Sequence, residues 1–162
     1  MTASGRIGRW WRSKGHGIHS PLAFRLTTTV LRDPGCAWYA YGRLAGARER
    51  LLFRVACEFD PRTVIVPEGV TLTAAEREAF EAARSTVRFA TEADAGEEPF
   101  IFTDGDHIPS PLPARAIIYI GGGARLPLLG RADRGICLTD GDRALMVMRP
   151  DLTPQTFEIN FR

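Results

Sequence analysis

Residues 63–66 read Thr-Val-Ile-Val, and residues 67–70 directly after them read Pro-Glu-Gly-Val. The first run is short, β-branched and apolar, which is typical of a strand that is covered on both faces of a sheet. Asp60-Pro61 ends the preceding segment, so the run begins at a clear boundary. A buried first strand is therefore predicted at residues 63–66.

Downstream of this strand, the sequence alternates between helix and strand patterns. Thr73 and Glu76 form a Thr-x-x-Glu capping box, which predicts a helix that continues to about Arg84. Further strands are predicted at Thr86–Ala90, Phe100–Thr103 and Ala116–Ile120. Strand, helix and strand in this order predict an α/β fold with a parallel sheet.

The carboxyl-terminal part of the chain has a different pattern. Asp140-Gly141-Asp142-Arg143 is a strong hairpin-turn signal between two apolar runs, Ile136–Thr139 and Ala144–Met148. Phe157–Phe161 alternates apolar and polar residues and is predicted to be the last strand. We therefore expect a mostly parallel sheet that ends in an antiparallel hairpin.

Residues 1–60 are predicted to form a helical segment that precedes the α/β body of residues 61–162, in one compact domain overall. Two helices are expected in this segment. Ser20-Pro21 opens the first, because the serine can cap free N–H groups and proline suits the first turn. The second is expected from about Tyr39 to Glu58. Residues 1–13 show no clear apolar period and are expected to form a loose arm.

Composition and charge restrict the class of protein. The 162 residues are 44% hydrophobic and 25% charged, which is ordinary for a globular chain. No apolar run approaches the roughly 20 residues that cross a bilayer, and no signal-peptide pattern is present, so we expect a cytoplasmic protein without a membrane partner. The net charge is +2, but residues 1–60 hold ten Arg and Lys against four acids. A solvated basic face and a site for an anionic partner are both open.

Cys36, Cys57 and Cys137 are widely spaced and form no metal-ligand pattern with the histidines. We expect buried, reduced thiols and no metal site. His16 and His19 lie three residues apart, and structural hydrogen bonding is the favoured interpretation for them because no third ligand is nearby in sequence.

Four blocks resemble, in order, a family of bacterial class I SAM-dependent methyltransferase-like proteins. Residues 14–21, Lys-Gly-His-Gly-Ile-His-Ser-Pro, are the most specific and are similar to the opening of the family. Residues 50–65 resemble the helix that leads into its first strand. Residues 102–107 resemble its fourth strand, which ends in an Asp-Gly-Asn-His type motif, and residues 148–161 resemble its terminal strands. The chain is shorter than a typical member, mainly between residues 70 and 130.

The resemblance implies a Rossmann-like sheet of seven strands with a reversed last strand, and SAM bound across the carboxyl ends of the strands. It also implies an acid and a GxxxG-like loop after the first strand. In this chain Glu68 and Gly69 are the candidate cofactor-binding residues there, but Pro67 fixes the backbone ahead of them and Val70 stiffens the turn. We therefore expect a degenerate methyltransferase-like protein with weak or no SAM binding and no catalysis.

Further candidate site residues follow the second and fourth strands of the resemblance. Glu92 is the candidate acceptor for the ribose hydroxyls of SAM. Because it lies in an acidic loop with Asp94, Glu97 and Glu98, a solvated loop acid is the favoured interpretation. The candidate catalytic residues are Asp104, Asp106 and His107. A carboxylate beside a histidine suits general-base chemistry or metal binding, and an Asp-Gly-Asp sequence is also a common turn.

Two alternative functions remain open at the level of sequence. One is an active SAM-dependent methyltransferase of unknown acceptor, since the opening block and the residue 104–107 motif are retained. The other is a nucleic-acid-binding module, in which basic and aromatic side chains of the N-terminal arm contact phosphates and stack on bases. Its residues would be Arg6, Arg9, Trp10, Trp11, Arg12 and Lys14. Gly121-Gly122-Gly123 is a weaker candidate for an anion site, and a small-molecule or protein partner is also open.

Overall fold

The described part of the chain comprises six stretches. The computed structural model describes residues 3–32, 39–44, 46–93, 98–108, 110–122 and 134–161, the side chains of residues 3–6 and 39 excepted. The chain divides into two compact units. The first unit comprises residues 1–60, 72–86 and 158–162, and the second comprises residues 61–71 and 87–157.

Helices make up the described part of the first unit. Helix α1 spans Ala3–Arg12, and α2 spans Pro21–Arg25 and runs directly into a π-helical turn over Leu26–Val30. The hydroxyl of Ser20 accepts a hydrogen bond from the backbone N–H of Ala23 at 3.3 Å, which confirms the predicted helix start. The expectation of a loose arm at residues 1–13 is wrong, because ten of these residues form α1.

Helix α3 spans Ala47–Phe59 and begins later than predicted. Tyr39–Gly42 forms a separate 3-10 turn, and the extended Gly46 directly precedes α3. The physical reason is the glycine, whose backbone freedom makes it a poor residue for the interior of a helix. Helix α4, Ala74–Ala83, packs against α3.

The predicted capping box is confirmed, and it also ties α4 to α3. The Thr73 hydroxyl accepts a hydrogen bond from the Glu76 backbone N–H at 3.2 Å, and the Thr73 backbone N–H donates to the Glu76 carboxylate at 2.9 Å. Arg48 of α3 donates to the other carboxylate oxygen of Glu76 at 2.5 Å. Glu76 is almost completely buried, so these bonds supply the partners that a buried charge requires.

The seven strands form one sheet. Their bounds are β1 Thr63–Ile65, β2 Arg88–Ala90, β3 Phe100–Thr103, β4 Ala116–Ile120, β5 Ile136–Thr139, β6 Ala144–Met148 and β7 Gln155–Glu158. Their order in the sheet is β2-β1-β3-β4-β6-β5-β7. β1, β2, β3 and β4 pair in parallel, whereas β6 is antiparallel to both β4 and β5. The prediction of an α/β fold with a mostly parallel sheet and antiparallel carboxyl-terminal strands is confirmed.

The apolar strands supply the core of the second unit. Every residue of β3, β4, β5 and β6 is buried, and one cluster joins Ile65, Ile101, Ile118, Cys137 and Met146. Strands that are buried on both faces of a sheet need such continuous apolar sequences. This is why the positions of these strands could be predicted from the sequence.

Three strands differ from the prediction at their ends, and the first of them, β1, ends at Ile65 rather than at Val66. β2 begins at Arg88 rather than Thr86, and β7 covers Gln155–Glu158 rather than Phe157–Phe161. Ile159 and Phe161 are buried without belonging to the strand. The alternation of apolar and polar residues at 157–161 therefore reflects side-chain burial rather than pairing of the backbone.

Candidate functional site

The order of the strands creates a crevice beside β1. From β1 the chain crosses to β2 on one side, and it then returns to β3 on the other side of β1. Where the direction of winding reverses in a parallel sheet, the loops at the carboxyl ends of the two strands separate and leave a place for a ligand. The turn after β1 and the loop after β3 meet at this place.

The turn after β1 is tight. The backbone N–H of Val70 donates to the carbonyl of Pro67 at 3.1 Å, which closes a four-residue turn. Gly69 is the third residue of the turn and has φ of +88°, a conformation that favours glycine. Glu68 lies exposed between Pro67 and Gly69, and no described residue contacts its carboxylate through a hydrogen bond or ion pair.

The loop after β3 is organised by one carboxylate. Oδ1 of Asp104 accepts hydrogen bonds from the backbone N–H groups of Asp106 and His107, each at 3.0 Å, and lies 2.8 Å from Nδ1 of the His107 ring. The hydroxyl of Thr103 donates to the carbonyl of His107 at 2.9 Å. These bonds fix the direction of the imidazole relative to the strand.

The two loops meet through His107 and Gly69. A Cβ atom built on Gly69 would lie only 2.7 Å from Nε2 of His107 and 3.1 Å from its Cδ2. The edge of the imidazole therefore lies beside Gly69 on the side where a Cβ would be, although the glycine itself remains exposed. A side chain at residue 69 would require the His107 ring to move.

The electrostatics of this pair favour a charged Asp104. Partial desolvation works to raise the pKa of Asp104, but hydrogen bonds from the His107 ring and from two backbone N–H groups outweigh it, and the pKa is lowered from its ordinary value. An ionised carboxylate only accepts hydrogen bonds, so Nδ1 of His107 carries a proton. In the neutral ring, Nε2 then has the free lone pair, and it faces Gly69. Both side chains are about two-fifths exposed, at 42% and 41%.

The structure brings together only some of the residues that were predicted for the site. Asp104, His107 and Gly69 meet in the crevice. Asp106 takes part through its backbone N–H, and its side chain is exposed. Glu92 is exposed two residues beyond β2, at the same edge of the sheet but one strand farther out.

The acidic loop after Glu92 is only partly described. Glu98 forms a two-bond ion pair with Arg149, with both N–O distances at 3.0 Å. This pairing raises the pKa of Arg149, because its guanidinium donates directly to the carboxylate. Asp94 and Glu97 lie outside the described residues.

The glycine triplet after β4 supports the loop rather than an anion. The N–H of Gly121 donates to the carbonyl of Thr103 at 2.8 Å, and the carbonyl of Gly122 accepts from the N–H of Gly105 at 2.8 Å. The Gly121 N–H group is therefore engaged with β3. Gly123 lies outside the described residues.

The histidines of the opening block and the cysteines contribute no reactive centre to this crevice. His16 and His19 are exposed, and within the described stretches no three His, Cys, Asp or Glu side chains are grouped closely enough to hold a metal ion. Cys137 is buried, which raises its pKa to about 12. Cys57 is exposed, so the expectation of a buried thiol is wrong for it, and its pKa is raised by partial desolvation and by the charge of Asp60. Neither is an activated nucleophile. Cys36 lies outside the described residues.

Comparison of the chain with family models, with curated proteins and with solved structures finds no match in any of the three. None of the described helices is long and apolar enough to cross a membrane. Function is therefore inferred from the geometry of the molecule.

One arrangement was not predicted from the sequence. Arg9 and Arg12, two candidates for nucleic-acid contact, point toward Glu158, and Ser13 bonds to the backbone of Asn160. The side chain of Arg6 lies outside the described part. The only local signal was the spacing of Ile7, Trp10 and Trp11, which is i, i+3, i+4, the spacing of one helix face.

Proposed function

We propose that this protein is a divergent relative of the class I SAM-dependent methyltransferases that no longer uses SAM, because its own His107 takes the place above Gly69. The α/β architecture with the reversed strand β6 supports the relationship, together with the opening block at residues 14–21. The single observation that carries the loss of cofactor is the distance of 2.7 Å between Nε2 of His107 and a Cβ position on Gly69.

The residues present do not fit the cofactor. In the family that the chain resembles, the backbone of the turn after the first strand comes close to SAM, which needs an uncovered glycine. Here the imidazole of His107 lies against the one remaining glycine on its Cβ side, and Asp104 holds that imidazole at 2.8 Å. Clearing this side of the turn would require the ring to leave its hydrogen bond with Asp104.

The rest of the turn adds to the same proposal. Pro67 fixes φ and donates no hydrogen bond, so the backbone at the start of the turn has little freedom to adjust. Glu92, the candidate for the ribose hydroxyls, has no hydrogen-bond or ion-pair partner among the described residues. A turn with little freedom, flanked by the His107 ring, is poorly suited to the close approach of a nucleoside.

Calorimetric titration of the full chain with SAM, and separately with its demethylated product, tests the proposal. We expect no heat and no thermal stabilisation up to millimolar ligand. His107→Ala is the matched variant, because it removes the covering ring and leaves the turn unchanged. Weak binding by this variant alone would assign the loss to His107, whereas binding by neither protein would assign it to the turn at Pro67. Micromolar binding by the unchanged protein would contradict the proposal.

A second candidate is an active methyltransferase, and the orientation of His107 favours it. Asp104 fixes the ring so that Nε2 has the free lone pair in a solvent-accessible crevice, as a general base requires. The test is transfer of a labelled methyl group from SAM to any component of a cell extract. Transfer that is lost in Asp104→Ala would establish this function in place of the first.

A further inference from the structure

Helix α1 is held through its polar side. Nε of Arg9 lies 3.2 Å from the carboxylate of Glu158, and Nε of Arg12 donates to the Glu158 carbonyl at 2.9 Å. The hydroxyl of Ser13, directly after the helix, accepts a hydrogen bond from the Asn160 backbone N–H at 2.7 Å. The charged side of α1 is therefore the side that faces the protein.

The apolar side of α1 faces solvent. Ile7, Trp10 and Trp11 are 61%, 43% and 49% exposed. Their spacing is that of a stripe which a helix of a globular protein normally buries, so α1 is amphipathic in the reverse sense. Phe24 of α2 is 47% exposed, and its ring lies against the backbone of Gly15.

These four side chains are the exposed large hydrophobic residues of the described chain, and all lie within its first 24 residues. We refer to Ile7, Trp10, Trp11 and Phe24 as the aromatic face. Contacts run along it, because the rings of Trp10 and Trp11 lie 5.8 Å apart and that of Trp11 lies 4.6 Å from His16. An exposed apolar patch of this kind marks a surface that meets a partner.

The charged residues of the segment that carries the aromatic face are all basic, and two of them, Arg9 and Arg25, pair with acids from elsewhere in the chain. Residues 1–32 contain six Arg and Lys and no Asp or Glu. The ammonium group of Lys14 lies 3.8 Å from the centre of the Trp10 ring, at the edge of the apolar surface. The complementary partner is therefore apolar where it meets the indoles and negatively charged around them.

We propose that the aromatic face is a docking surface for a bilayer that contains anionic phospholipids. Helix α1 lies along the interface, with Ile7 and the two indoles at the level of the headgroups and acyl chains and with Lys14 near the phosphates. Tryptophan suits this depth because its ring is amphipathic. That no described helix can span a bilayer does not bear on this mode, since α1 lies along the interface and does not cross it.

Other occupants fit the surface less well. Single-stranded nucleic acid needs open aromatic faces, but Lys14 lies over the Trp10 ring, His16 lies against Trp11, and Ile7 offers no stacking face. A second copy of the chain would bring Lys14 of each copy close to the same residue of the other in a symmetric contact, which is unfavourable.

Co-sedimentation of the full chain with vesicles tests the proposal. One set of vesicles is pure phosphatidylcholine, and the other contains one quarter phosphatidylglycerol. We expect binding to the second set, weak binding to the first, and release by salt. In a Trp38→Phe background, Trp10 and Trp11 are the remaining tryptophans, and their emission should shift to shorter wavelength when the anionic vesicles are added.

Two variants separate the apolar and charged contributions. Ile7→Ser should lower the partition coefficient roughly tenfold, because one large aliphatic side chain no longer enters the interface. Lys14→Gln should lower it about fivefold on anionic vesicles only. Arg62→Gln is the matched charge control, since Arg62 is exposed in the other unit, and it should bind as the unchanged protein does.

Three results would overturn the proposal. Equal binding to both sets of vesicles, or binding to neither, would exclude an anionic bilayer as the partner. Reduced binding in Arg62→Gln as large as in Lys14→Gln would show that net charge alone drives the association. Dimerisation or RNA binding that Ile7→Ser abolishes, without binding to vesicles, would assign the aromatic face to that partner instead.

Discussion

The loop after β3 and helix α1 use a carboxylate in opposite ways. In the loop, Asp104 holds the ring of His107 beside Gly69, so this hydrogen bond narrows a surface that the topology of the sheet opens. At α1, Glu158 holds Arg9 on the inner side of the helix, so the ion pair leaves the apolar side chains outside. One region covers the backbone that a ligand would contact, and the other exposes side chains that a monomeric protein would bury.

These two regions indicate which surface of the molecule is available to a partner. A fold of this type places its ligands at the carboxyl ends of the strands, and here that crevice is occupied by the protein's own imidazole. The exposed large hydrophobic side chains lie instead on α1 and α2. Under both proposals, the surface that binds a partner lies in the first unit, and the crevice of the sheet no longer binds a ligand.

The covered crevice gives the largest expected effect. Gly69→Ala should destabilise the protein by about 2–3 kcal/mol, because a Cβ atom is strained at a positive φ and also meets the His107 ring. Urea denaturation measures this loss of unfolding free energy.

Gly17→Ala is the matched control, since Gly17 also has a positive φ, +75°, but nothing lies within 4 Å of its Cβ position. It should cost only the backbone strain, about 1 kcal/mol. The same smaller cost is expected for Gly69→Ala in a His107→Ala background. A cost for Gly69→Ala no larger than that for Gly17→Ala would show that the ring does not cover the turn.

The sequence predicted the sheet and the loop after β3 better than it predicted helix α1. Continuous apolar runs located β1, β3, β4, β5 and β6, and the residue 104–107 motif placed Asp104 beside His107. The contact of His107 with Gly69 could not be predicted from local patterns, because it joins loops 38 residues apart and depends on β1 and β3 being neighbours.

Helix α1 was missed for a related reason. Its contacts with the rest of the unit include those with Glu158 and Asn160, which lie almost 150 residues away in the sequence. Residues 3–12 are rich in Arg and Gly and expose their apolar stripe, so the usual relation between apolar period and burial is reversed there. Prediction from hydrophobic periodicity relies on apolar residues facing the core. It therefore fails for α1, whose charged side faces the protein.

The anchor of α1 gives the next largest effect. Ser13→Ala should destabilise the protein by about 1–2 kcal/mol, because the Asn160 N–H loses its acceptor in a nearly buried position. Cleavage by trypsin after Arg9 and Arg12 should become faster as the helix loosens. Thr28→Ala is the control, since that hydroxyl bonds only to carbonyl groups of its own helical segment. Equal effects of the two substitutions would show that Ser13 does not hold the helix.

A smaller effect is expected from the pH dependence of Asp104. Its pKa is lowered in the folded protein, so its contribution to stability is complete above the ordinary carboxyl pKa of about 4 and is lost as the pH falls through the folded value. Asp104→Asn keeps an acceptor oxygen and removes this titration. The stability difference between the two proteins should therefore shrink as the pH is lowered from 6 to 3. A difference that is constant over this range would contradict the hydrogen bonds that lower the pKa of Asp104.

The smallest effect on stability is expected where the proposed effect on binding is largest. Ile7→Ser should change the unfolding free energy by less than about 0.5 kcal/mol, because the side chain is 61% exposed and α1 is held through its other face. Thermal denaturation of the variant and the unchanged protein measures this. A substantial loss of stability would mean that Ile7 packs against the protein, and the aromatic face would then be part of its core. Unchanged stability together with weaker vesicle binding would instead separate the two uses of the helix, since the residues that anchor α1 would not be those that meet the bilayer.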